Sequence, residues 1–107
     1  SRAEDEARLS RETIEQEAHF AALQLSLAER QLAIAAKADT VGSKRFEVAK
    51  NRYVIGKIGI SDLYIAQSEK DAALLAYVRA LRGYWVAYYR LRRLTLYDFA
   101  ENRPIPA

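Results

Sequence analysis

A seven-residue repeat of small side chains constrains this chain more than any other feature of it. Steps of seven from Ala21 meet Ala28, Ala35, Gly42, Ala49 and Gly56, and an accompanying column holds Leu25, Leu32, Asp39, Phe46 and Tyr53. Spacings that alternate between four and three fall on one stripe of an α-helix, so the two columns read as the a/d seam of a coiled coil. The second half repeats the arrangement, with Ala66, Ala73, Ala80 and Ala87 beside Leu63, Lys70, Tyr77, Tyr84 and Leu91. Small residues at one seam position let two backbones approach closely, and the large residues of each helix fill the space beside the small ones of the other. The simplest partner for the first helix is the second. A strict seven-residue repeat also predicts local left-handed supercoiling.

The distribution of helix breakers gives the layout. Only four Gly and two Pro are present, both prolines fall in the last four residues, and half the chain is apolar with Ala heavily used. Between Ala3 and Tyr53 there is no Pro and a single Gly, so the first helix can run some 50 residues, or ~75 Å at 1.5 Å per residue. Gly56 and Gly59 supply a stop, and Ser61 or Asp62 offers an N-cap oxygen for a restart. The expected fold is therefore all-α: a long antiparallel two-helix coiled-coil hairpin. Its parts are a first helix over 1–54, a tip turn over 55–61, a returning helix over 62–99 and an irregular tail over 100–107. Acidic Glu4, Asp5, Glu6 and Asp62 lie at helix starts, and basic Lys50, Arg52, Arg90, Arg92 and Arg93 toward helix ends, as the helix dipole favours.

Each helix carries a further apolar column that a two-stranded coil has no use for. On the first it is Phe20, Leu27, Ile34, Val41, Val48 and Ile55; on the second it is Leu74, Val78, Leu81, Trp85 and Tyr88. With the seam, the apolar arc of the first helix is roughly 160° wide, far more than the narrow stripe of a coiled coil. Each helix should therefore touch a second neighbour, which a barrel of helices or a four-helix bundle of two hairpins would supply. The chain reads as an elongated element of something larger.

Composition removes several classes of function. The net charge of +3 is interspersed along the chain, and the arginines at 79, 82, 90, 92 and 93 fall in several heptad columns, so no nucleic-acid stripe is expected. Without cysteine there is no disulfide, zinc-thiolate site or thiol nucleophile. No apolar run approaches the roughly 18 to 20 residues that cross a bilayer, and the opening Ser1-Arg2-Ala3-Glu4-Asp5-Glu6 lacks a signal-peptide layout. His19, the one histidine, reads as a surface residue, and Asp5, Glu12, Glu15 and Glu17 as a solvated helical face. No catalytic residue, cofactor or metal is expected. Tyr77, Tyr84, Trp85, Tyr88 and Tyr89 read as packing.

The stretch Arg52-Tyr53-Val54-Ile55-Gly56-Lys57-Ile58-Gly59-Ile60-Ser61-Asp62-Leu63-Tyr64-Ile65-Ala66-Gln67 resembles the TolC family of outer-membrane efflux and secretion channels. The family pattern there is Arg/Tyr, a Gly three residues on, a short apolar stretch, an Asp, an apolar pair and Ala. From Tyr84 to Phe99 the chain looks like the ascending helix of the second structural repeat, and residues 1–48 match as an Ala-rich heptad helix. The resemblance implies a homotrimer in the full-length protein, in which twelve helices form a periplasmic α-barrel continuous with an outer-membrane β-barrel. It implies a protein of the outer membrane of a Gram-negative bacterium, with this segment in its periplasmic portion. Positions Gly56, Lys57, Ile58, Gly59 and Ile60 match the docking tip that meets a periplasmic adaptor, and through it an inner-membrane pump.

Tyr53, Asp62 and Ile65 match the aperture. Asp62 stands where the family has an acidic ring, and Tyr53 where it has a latching tyrosine. Two positions depart from the best-known pattern: Ile65 replaces a second acidic ring, and Ile58 replaces a latching arginine, with Lys57 beside it. An apolar ring at Ile65 would gate by dewetting. The expected function is thus a passive export conduit, wall and docking tip. The competing readings are the helical hairpin of the adaptor itself and a coiled-coil scaffold, for which the wide apolar arc is the main difficulty.

Overall fold

The computed structural model describes residues 1–100, with side chains as far as Leu96. They form two helices, α1 (Arg2–Val54) and α2 (Ile60–Ala100), and no strand occurs among the described residues. This is the all-α helical hairpin that the repeat predicts. The tail assigned to 100–107 lies, beyond Ala100, outside the described residues.

α1 opens on a reciprocal cap. The Ser1 hydroxyl accepts from the Glu4 amide at 3.2 Å, and the Glu4 carboxylate accepts from the Ser1 amine at 3.4 Å, the arrangement of a capping box. Three threonines inside the helices donate to the carbonyl one turn back: Thr13 to Leu9, Thr40 to Ala36 and Thr95 to Leu91. Each hydroxyl is thereby satisfied without leaving the helix.

The described residues pack as two compact units. In residues 30–82, Gly42 lies against Ala73: a methyl built on the glycine would stand 3.4 Å from the Ala73 Cβ and 3.6 Å from the Lys70 Cα. Here two backbones approach as closely as small seam residues allow. One step nearer the turn, the Lys70 ammonium lies 4.7 Å from the centroid of the Phe46 ring. That contact explains how a lysine occupies the large-residue column, its methylenes along the seam and its charge over an aromatic face. From 42 to 46 on α1 the partners fall from 73 to 70 on α2, so the helices run antiparallel. In the same register Ala35 is across from Ala80, and Ala49 from Ala66.

In the unit of residues 1–29 and 83 onward, the fully buried side chains are Ile14, Ala18, Ala21 and Ala28. The seam thus extends one heptad toward the N-terminus beyond Ala21, through Ile14 and Ala18. Tyr84, Ala87, Leu91 and Leu94 are the half-buried counterparts on α2. At the flank of this seam Arg90 donates to the Gln24 side chain at 2.9 Å, and Tyr84, Trp85, Tyr88 and Tyr89 form an aromatic cluster with centroids 5.2 to 6.4 Å apart, mostly edge to face.

Candidate functional site: the turn and its groove

The turn begins where α1 can no longer bond to itself. Ile55 still bonds back to Asn51, after which the Gly56 amide donates to the Tyr53 carbonyl at 3.0 Å and the Lys57 amide to the Arg52 carbonyl at 2.8 Å. Those bonds, spanning three and five residues, are a Schellman motif, and it requires a left-handed residue between them. Gly56 fills that position with φ +78°, which only a residue without Cβ adopts freely. The sequence alone indicates a glycine stop; the structure assigns the left-handed position to Gly56.

The restart differs from expectation. α2 begins at Ile60, and the Leu63 amide donates to the Gly59 carbonyl at 3.3 Å, so Gly59 is the capping residue. Ser61 and Asp62 therefore lie within the first turn of the helix and not at its N-cap. Asp62 there still favours the positive end of the helix dipole. Gly59 has open space where a Cβ would stand and no left-handed φ, so its place at the cap rests on its carbonyl and not on a need for glycine.

Gly56, Lys57, Gly59 and Ile60 are exposed, as a docking tip needs. Ile58 is not: it is half-buried and lines a groove of about 450 Å³ with Val41, Lys44, Arg45, Val48, Ala49, Arg52 and Asp62. Of the two isoleucines matched to the docking tip, Ile60 alone is exposed, because Ile58 covers apolar surface of α1 and gives up water contact in doing so. The groove also brings Asp62 to the same cleft as Arg45 and Arg52. Tyr53 and Ile65 are exposed and do not line it. Lys44, Arg45, Val48 and Arg52 are not among the site residues the sequence singles out. Their signal is present, since they occur at helical spacing around Val41 and Val48, but it resembles the solvated flank of any coiled coil.

The outer apolar columns are uncovered. On α1, Phe20, Leu27, Ile34, Val41, Val48 and Ile55 are all exposed, reaching 71% at Ile34 against 1% for Ala21 in the seam. On α2, Leu74, Val78 and Trp85 are exposed, and Leu81 and Tyr88 half-buried. The three ion pairs among the described residues all lie within residues 1–8 and are exposed, so charge contributes little to holding the helices together.

Elsewhere Glu12, Glu15, Gln16 and His19 line a shallow depression on α1. No group of three or more metal-binding side chains converges among the described residues. No described helix is long and apolar enough to cross a membrane. No protein-family model, curated protein or solved structure matches the chain.

Proposed function

We propose that this chain is a wall segment of a TolC-like outer-membrane export channel, its two helices forming part of a periplasmic α-barrel and its turn docking an adaptor. The reading is supported above all by the exposed apolar column on each helix. Such columns are costly to leave wet over several heptads, and a ring of helices covers both. A docking role for the turn draws on the exposed Gly56, Lys57, Gly59 and Ile60, where bare backbone and a single apolar side chain meet water. In this proposal the full-length protein is a trimer in the outer membrane, export is passive, and an inner-membrane pump supplies the energy through the adaptor.

Photocrosslinking in cells tests it. A photoreactive residue in place of Lys57 in the full-length protein should capture a periplasmic adaptor, in an envelope fraction that sediments with the outer membrane. Recovery of the chain in the inner-membrane fraction would instead identify it as an adaptor hairpin, and recovery in the cytosol as a scaffold.

A further inference from the structure

From Ala72 to Leu96 the chain uses only Ala, Leu, Val, Gly, Tyr, Trp, Thr and Arg, with no carboxylate, lysine or amide. A helix packed on one side and wet on the other carries hydrated side chains on its outer side. α2 carries arginines, aromatic rings and aliphatic groups there instead. Arg79, Arg82, Val86 and Tyr89 each follow a seam residue by two positions, about 200° around the helix, and so form a stripe directed away from α1. Trp85 and Arg92 border that stripe, each three residues beyond one of its members. All six are exposed, Val86 to 63% and Tyr89 to 52%. The Trp85 and Tyr89 rings lie 5.9 Å apart with their planes 30° from parallel.

Charge on this side of α2 is not met from within the helix, since no acid occurs between Asp71 and Leu96. Glu17 of α1 shares a cleft with Arg90 and Arg93 at the flank of the seam, which leaves Arg79, Arg82 and Arg92 for a partner to meet. Those three belong to no ion pair among the described residues. A single-stranded nucleic acid would use the guanidinium groups and the rings, but has nothing to offer Val86, or the exposed Leu75 and Leu96 that continue the stripe at either end. An anionic bilayer surface suits all of them. Guanidinium groups reach phosphates, Trp and Tyr settle at the headgroup boundary, and aliphatic side chains enter the edge of the acyl layer. α2 is not apolar enough to cross a bilayer, so such a helix lies along the surface with its arginine stems in lipid and their heads in the phosphate layer.

We infer that the side of α2 turned away from α1 rests on an anionic phospholipid surface, with Arg79, Arg82 and Arg92 against headgroup phosphates and Trp85, Val86 and Tyr89 at the acyl boundary. The inference stands on this side of α2 alone and is independent of the channel proposal, whose neighbouring helices cover the flanks of the seam.

Trp85 is the only tryptophan of the chain, so its emission reports on the stripe directly. The 107-residue chain should show a blue-shifted emission with vesicles of phosphatidylcholine containing about one-third phosphatidylglycerol, little shift with phosphatidylcholine alone, and weaker binding at high salt. Arg82→Gln and Arg92→Gln should each weaken binding about fivefold, and Val86→Asp about tenfold, whereas Lys37→Gln on α1 should leave it within about twofold. Far-UV circular dichroism confirms that each variant remains helical. No shift with anionic vesicles, equal binding to neutral ones, or arginine variants that bind as tightly as Lys37→Gln would each overturn the inference. So would a change in emission produced by a single-stranded oligonucleotide and not by vesicles, which would assign the stripe to nucleic acid. A shift that grows with protein concentration in the absence of lipid, and that vesicles do not increase, would assign it to a second copy and overturn the inference equally.

Discussion

Three glycines in this chain have three different tolerances for a methyl group, and the surroundings of each determine which. Gly83 lies within α2 with nothing within 4 Å of where a Cβ would stand. Gly83→Ala should therefore raise stability by about 1 kcal/mol through helix propensity alone, read as a higher urea midpoint with an unchanged slope. Gly56 faces equally open space but sits at φ +78°. Gly56→Ala should cost about 1 kcal/mol, all of it left-handed backbone strain, since the added methyl meets only water. Gly42 is limited by its neighbours: beyond one methyl, a side chain meets the Lys70 Cα and the Glu69 carbonyl, which are backbone and cannot step aside. Gly42→Leu should part the helices locally and lower the melting temperature by more than Gly56→Ala does.

At the scale of the element, seam and outer column should answer oppositely to the same truncation. Leu32, half-buried between the helices, should cost ~1–2 kcal/mol when cut to Ala, whereas Ile34→Ala should stay within about 0.5 kcal/mol in dilute solution, a contrast that urea melts of the two variants would reveal. The seam is legible in the sequence because periods of three and four report directly on which side of a helix meets another. The extension through Ile14 and Ala18 continues the same rule, and only a count that starts at Ala21 hides it. The turn is half legible. Glycines announce a reversal, but whether Ser61, Asp62 or Gly59 caps the next helix depends on backbone hydrogen bonds that residue types do not dictate. Ile58 departs from expectation for a related reason, since an isoleucine between two glycines gives no indication of which way it faces. The basic groove is hidden in the sequence because its residues have the composition of a solvated flank, and only their convergence on Val41 and Val48 sets them apart.

For the molecule as a whole, the antiparallel register orders contacts by their distance along the chain. Residues paired beside the turn, such as Phe46 with Lys70, are separated by a short loop, while Gln24 and Arg90 are 66 residues apart. Closing a loop costs entropy that grows with its length, so early pairings near Gly56 shorten the effective loop for each later one. The hairpin should accordingly zip from its bend outward. Substitutions at Phe46 or Ala49 should slow refolding, and those at Ala21 or Leu91 should chiefly hasten unfolding, in stopped-flow denaturant jumps. A ladder of alanines and glycines chosen for close approach thus also sets a kinetic direction: the free ends are the last to assemble and the first to open.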